Sequence, residues 1–249
     1  MAADTSGWWD ASDPTGRSVR EFRIARAGVE RPVTGALWSP ADAGDEAPLV
    51  LFGHGASGDR YQAPICHLAH LFVDEAGCNA LSIDGPVHGM RQVGPGGRAA
   101  FGDEIKRPGF MDDMVADWHA ALDATRAQAS PGDIAYFGLS MGSIFGIPLI
   151  ASLPETKAAV LGLLGTTKAG GLFAERILSD AARIRCPVLF LMQLEDELFP
   201  RDGYLAVFDA LASDDKRIHA NPGLHPEVPA EEIAASFAFI ERLVVDRSR

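Results

Sequence analysis

The sequence predicts an α/β fold: a mostly parallel central sheet flanked by helices, in a single domain spanning residues 1–249. Three observations carry this. Short apolar runs recur along the chain, most followed directly by Gly or Asp, as expected of strands buried on both faces. Between them lie segments with helical apolar spacing, the alternation that builds parallel βαβ units. The length suits one large domain with a sizeable core.

The first stretch alternates weakly, with Val19, Phe22 and Ile24 and then Val33, Ala36 and Trp38, which predicts two edge strands. The buried strands follow at 49–52, 80–83, 134–137, 160–164 and 188–192. Ile65, Leu68, Ala69 and Phe72 fall at i, i+3, i+4, i+7, with Pro64 near the helix start. Met111, Met114, Val115, Trp118 and Leu122 repeat that period, as do Ile233, Phe237, Ile240 and Leu243. Residues 85–110 interrupt the alternation with Gly94-Pro95-Gly96-Gly97 and Pro108, which reads as a long loop or a small cap.

Composition narrows the function. Lys and Arg total 22 against 34 Asp and Glu, a net charge of −12. That balance argues against a general nucleic-acid binder or a protein held on anionic membranes. Cys66, Cys78 and Cys186 form no disulfide framework and no CxxC pair, so a thiolate zinc site is not expected. The first ten residues show no basic-then-apolar leader pattern, and no apolar run is long enough to cross a bilayer. The expectation is a cytoplasmic protein with reduced thiols. His67 and His70 share a predicted helix face without further metal ligands converging. Gly94 to Ala99 imitates GxGxxA but follows no strand, and GxxxxGK[ST] is absent, so no nucleotide cofactor is indicated.

The chemistry concentrates at Gly138-Leu139-Ser140-Met141-Gly142, between the 134–137 run and the apolar stretch 144–150. This is the strand–turn–helix context of a nucleophile elbow. A serine on so sharp a turn needs small neighbours two positions away on either side, which Gly138 and Gly142 supply. The Met141 amide, at a helix start, suits a developing oxyanion. A serine nucleophile needs a base, and the base an orienting acid, in the chain order Ser, acid, His. Glu195, Asp196 and Glu197 compete for the acid, just past the 188–192 strand. His219 lies on a possible last strand and His225 in the turn-rich loop 221–226; the loop position suits a base that must reach Ser140. Gly53-His54-Gly55-Ala56 follows another strand, and the Ala56 amide is the expected second oxyanion donor, with His54 holding the loop. His88 sits on the ligand side, as a substrate contact or a structural hydrogen bond. Arg91, Arg98, Lys106 and Arg107 give the 85–110 insertion a local basic excess, either for a substrate carboxylate or simply solvated. Phe101, Phe110, Leu172, Phe173, Leu198 and Phe199 could line an acyl pocket or pack the core.

Together these motifs resemble the α/β-hydrolase superfamily from about Leu49 onward. The stretch Asp84-Gly85-Pro86-Val87-His88-Gly89 is similar to small esterases and dienelactone-hydrolase-like members. The resemblance implies that Asp196, separated by three residues from Pro200, is the acid, and that His225 is the base after its Gly-x pair. It also implies that the strands before Leu49 form the antiparallel start of the sheet. Dienelactone hydrolases proper are expected to use cysteine; serine at position 140 favours an ordinary carboxylesterase. The resulting expectation is a serine carboxylesterase for small to medium esters, with a Ser140, His225 and Asp196 triad and no cofactor. The alternatives are a lactone, thioester or carbon–carbon hydrolase, or a non-catalytic binding protein on the same fold.

Overall fold

A computed structural model describes residues 6–42, 44, 46–128 and 130–245. The chain forms two compact units, Met1–Gly132 and Asp133–Arg249. In the first, strands β1 (Gly7–Ser12), β2 (Ser18–Ile24), β3 (Val33–Trp38), β4 (Leu49–Gly53) and β5 (Asn79–Ile83) lie in the order β1-β2-β3-β5-β4. Pairing from β1 through β3 to β5 is antiparallel, and β4 pairs with β5 in parallel. Helices α1 (Ala63–Asp74), α2 (Gly97–Glu104) and α3 (Phe110–Arg126) complete this unit.

The second unit holds β6 (Ile134–Gly138), β7 (Thr156–Gly162), β8 (Val188–Gln193) and β9 (Lys216–Asn221), all parallel and in sequence order. Its helices are α4 (Met141–Ser152), α5 (Ala174–Ala181), α6 (Arg201–Ala210) and α7 (Ala230–Val244). The expected α/β-hydrolase architecture is present, with antiparallel pairing confined to the strands that precede β4 and their junction with β5.

The local reasons follow burial. β5, β6 and β8 are buried at every residue, so no alternation survives and the apolar run itself marks the strand. α4 is buried from Met141 to Ala151, as a helix that is apolar all round must be. α1 buries Ile65, Leu68, Ala69 and Phe72, the spacing read from sequence.

Two expectations need correction. β2 and β3 are not edge strands: β1 flanks β2, and β5 pairs the far side of β3. The outer strand was missed because β1 is exposed or half-buried throughout and lacks an apolar run. α7 exists, but its buried face carries Glu232, Ser236, Phe239, Ile240 and Val244, while Ile233, Phe237 and Leu243 are half-buried. Polar residues turned inward are invisible to apolar periodicity: Glu232 accepts from His219 Nδ1 (2.8 Å), and the Ser236 hydroxyl bonds the Glu232 carbonyl (2.6 Å).

The 85–110 insertion is neither bare loop nor large lid. It holds a single 3-10 turn at Gly89–Arg91 and the short α2. Its cations are mostly paired within the protein. Arg91 Nη2 donates to Asp117 Oδ2 (2.6 Å) and Nη1 to the Asp84 carbonyl (3.1 Å). Arg107 bonds Glu104 and Asp113, and Lys106 bonds Asp103. A cavity of about 630 Å³ lies against this segment, and Arg31 on its wall also pairs with Glu104. These pairs leave the basic excess largely neutralised by the chain's own acids.

Asp117, 1% exposed, takes Arg91 on one oxygen and Arg26 on the other. Asp117→Ala would strand the buried Arg91 guanidinium without its carboxylate. The expected loss is about 3–5 kcal/mol of unfolding free energy, measured by urea denaturation.

Candidate active site

Ser140 ends the β6 turn as the N-cap of α4, at φ 57° and ψ −119°. A non-glycine residue at positive φ is strained and persists only where its surroundings over-determine it. Here the bracing is dense. The Ser140 amide donates to the Gly162 carbonyl (3.0 Å). Ser143 Oγ lies 2.7 Å from both the Gly138 and Gly162 carbonyls and accepts from the Gly162 amide (2.8 Å). The Tyr136 hydroxyl donates to the Gly142 carbonyl (2.6 Å). A Cβ on Gly138 would sit 2.7 Å from the Tyr136 ring and 3.0 Å from the Gly142 carbonyl carbon, so the glycine is sterically required.

The elbow sets the Ser140 hydroxyl 2.9 Å from His225 Nε2. His225 Nδ1 lies 2.7 Å from Asp196 Oδ2. With Nδ1–H on the carboxylate, the neutral ring turns its Nε2 lone pair to the serine. Phe199 packs on the imidazole at 5.6 Å between ring centroids. Met141, 2% exposed, opens α4, so its amide stands outside the intrahelical bonding pattern.

Asp196 follows β8. Its Oδ1 accepts from the Leu198 and Phe199 amides (2.8 and 3.0 Å), and its Oδ2 from the Tyr204 hydroxyl as well as His225. Burial alone would raise this carboxyl; the donors from His225, Tyr204 and Phe199 outweigh it and hold the group below the usual carboxylate range. Burial and the Asp196 charge push the Tyr204 phenol upward, so it remains a donor.

Sequence spacing left three neighbouring acids equivalent, and the structure gives each a separate partner. Glu195 Oε2 accepts from the Gly223 amide (2.5 Å) and Glu197 Oε2 from the His225 amide (2.9 Å). That hydrogen bond from the His225 amide depresses the Glu197 carboxyl. Gln193 Nε2 donates to the Pro222 and Glu227 carbonyls (3.3 and 2.7 Å). The loop carrying His225 is therefore held along its backbone by residues from the end of β8. These roles, with those of Tyr204 and Ser143, were not read from sequence. Only the turn after β8 and the turn-rich loop after β9 hinted that two adjacent strand ends would meet.

The structure brings Ser140, Met141, Asp196 and His225 together within the second unit. His219 pairs with Glu232 instead. Ala56 lies in the first unit, in the turn after β4. His54 holds that turn as expected: the Gly85 amide donates to its Nε2 (2.8 Å), so Nδ1 carries the proton and donates to the Gly55 carbonyl (2.8 Å). His70 bonds Asp13 (2.7 Å), and among the described residues no group of three or more His, Cys, Asp or Glu is placed to hold a metal ion. Of the apolar candidates, Phe101, Phe110, Phe173 and Phe199 are buried, Leu198 is half-buried and Leu172 is exposed. No described helix is long and apolar enough to cross a membrane.

Residues 90–223 match the dienelactone hydrolase family, more than half of the chain. The chain belongs to that family. The zinc-bound structure of a cold-adapted esterase from an Arctic intertidal metagenomic library is 35% identical, with a TM-score of 0.77 over 96% of this chain and 99% of its own. Its complex with PEG gives 32% identity and the same TM-score over 95% and 99%. The acetyl xylan esterase from Paenibacillus sp. R4 is 19% identical, with a TM-score of 0.70 over 96% and 88%, and shares the fold. A search of curated proteins returns no match. By family, the protein is a hydrolase enzyme of the esterase type.

Tyr204→Phe should remove one donor from Asp196 while sparing the fold. Because the folded-state carboxyl is depressed, its contribution to stability is full above its unfolded pKa of about 4 and is lost as pH falls. With one donor fewer, the folded value rises and the contribution shrinks. Urea unfolding at pH 7 should show a loss of about 1–3 kcal/mol in the variant, narrowing as pH drops toward about 3.

Proposed function

We propose that the protein is a serine carboxylesterase for esters of small to medium size, with residues 1–249 acting as one hydrolase domain and Ser140, His225 and Asp196 as its triad. The observation that carries this reading is the unbroken chain of contacts from Ser140 Oγ through His225 to a depressed, multiply donated carboxylate.

The Ser140 oxygen attacks the ester carbonyl as His225 Nε2 takes its proton. Asp196 keeps the ring in the reactive tautomer and stabilises the imidazolium. The Met141 amide, aided by the α4 N-terminus, and the Ala56 amide receive the oxyanion. His225 then protonates the departing alcohol, and a water molecule, activated by the same imidazole, hydrolyses the acyl-enzyme. Proton transfer and charge stabilisation come from the chain itself, so the scheme uses no cofactor. A small insertion in place of a large lid favours modest substrates. The net charge of −12 and the free cysteines favour a cytoplasmic enzyme without nucleic-acid or membrane partners. The family match favours a second reading, attack by the same triad on a lactone carbonyl.

Ser140→Ala should lower kcat on a short-chain ester by about 10⁴- to 10⁶-fold. A serine-directed phosphonate should label Ser140 in the wild type, as located by mass spectrometry. An unlabelled Ser140, or equal turnover by both proteins, would overturn the proposal. Preference for lactones over open-chain esters in the same assay would select the second reading.

A further inference from the structure

The motif from Asp84 to Gly89 has no part in the reaction scheme above. Asp84 is fully buried, and its carboxylate is packed against Gly89, where an added Cβ would lie 2.1 Å from Oδ1. Gly89 sits at φ +53°, so only glycine is accommodated. Thr34 Oγ1, Arg60 Nη1, the Arg60 amide and the Met90 amide all donate to the same carboxylate, at 2.7, 2.8, 3.1 and 3.1 Å. This turn fixes His88 immediately before Gly89.

His88 is 2% exposed. Its Nε2 lies 3.1 Å from the Ala56 carbonyl, which can only accept, so Nε2 carries the proton. Its Nδ1 is buried without a partner among the described residues. The ring packs edge-on against His54 at 5.0 Å and near Phe101 at 5.9 Å. Burial holds both imidazoles below their ordinary range, His54 at about 4, which keeps them neutral and each committed to a single donor. An aliphatic side chain would fill this space without leaving a lone pair dry, so the donor is what the position uses.

The loop it touches is pinned peptide by peptide. The Gly55 amide donates to Gln62 Oε1 (2.7 Å). The Gly55 carbonyl accepts from His54 Nδ1 (2.8 Å) and the Gly58 amide (3.1 Å). The Ala56 carbonyl accepts from His88. Among the described residues, the Ala56 and Ser57 amides have no acceptor. A trans peptide directs its N–H opposite to its C=O, so a fixed carbonyl fixes the amide across the same bond. His54, through the Gly55 carbonyl, thus sets the peptide that carries the Ala56 N–H, and His88, through the Ala56 carbonyl, sets the peptide that follows, so the Ala56 α-carbon is braced on both sides while its N–H stays free.

We propose that His88, anchored by the Asp84–Gly89 contact, is a positioning residue: by holding the peptide that follows Ala56 it keeps the Ala56 amide, whose own peptide His54 holds, aimed as an oxyanion donor. The proposal rests on the esterase reading above. A misaimed donor weakens binding of the charged oxygen in the transition state while leaving ground-state substrate binding nearly unchanged.

The test compares wild type, His88→Ala, His88→Gln and His88→Asn on matched ester and thionoester substrates, with phosphonate labelling of Ser140 in each. Sulfur is a poor acceptor, so a thionoester gains little from amide donors and reports on the rest of the machinery. His88→Ala should lower kcat on the ester about 10- to 100-fold, with KM within about twofold and a much smaller loss on the thionoester. His88→Gln, whose side-chain N–H reaches the same carbonyl, should restore most of the ester rate; His88→Asn, one bond shorter, should not. Equal losses on both substrates would mean a merely structural role and overturn the proposal. So would an unchanged ester-to-thionoester ratio in His88→Ala. If His88→Ala does not fold, identical ratios in His88→Gln and His88→Asn overturn it. Wild type that fails to label at Ser140 defeats the esterase reading, and this one with it; labelled wild type with unaltered His88 variants defeats this one alone.

Discussion

The carboxylate of Asp196 is the group on which the candidate site turns. It is nearly buried, which penalises its charge, and four donors offset that penalty: two amides of its own turn, the Tyr204 hydroxyl and the His225 ring. The amides shape the turn after β8, Tyr204 ties that turn to α6, and His225 brings in the loop after β9. One charge therefore positions three segments at once. Glu195 and Glu197 extend the arrangement by gripping the backbone of the histidine loop rather than its side chain. The imidazole is consequently restrained in location by its neighbours and in rotation by Asp196.

The nucleophile turn solves the opposite problem. Its backbone is strained, so it must be surrounded by elements that cannot relax. α4 is buried almost throughout, and Ser143 and Tyr136 stitch its first turn to β6 and β7. Strain that would unwind an exposed helix start is retained because every escape route breaks a buried hydrogen bond. The turn after β4 follows the same logic with different chemistry: buried neutral imidazoles, instead of hydroxyls, hold the peptide planes.

Much of this was legible beforehand because double-sided burial leaves a compositional mark. β4, β6 and β8 are apolar nearly from end to end, and the Gly-x-Ser-x-Gly turn has a steric origin that residue types alone express. Elements with mixed surroundings were harder. β1 is largely exposed; α5 and α6 carry charges through their length; the inner face of α7 holds Glu232 and Ser236 because partners neutralise them. Polarity inside a fold is permitted only where a partner waits, and partners distant along the chain leave no local pattern.

Residue order by itself determined the α/β architecture, the sharp turn at Ser140 and the succession of a serine, an acid-rich turn and a histidine loop. Each depends on local sterics or on uniform burial, which the amino acids encode directly. The tertiary structure alone separated Glu195, Asp196 and Glu197 into two backbone clamps and one imidazole partner, paired His219 with Glu232, and gave His88 a single carbonyl to hold. Those outcomes are decided by hydrogen-bond reach, a matter of a few tenths of an ångström between residues dozens of positions apart. Only the packed strands bring such residues within that distance.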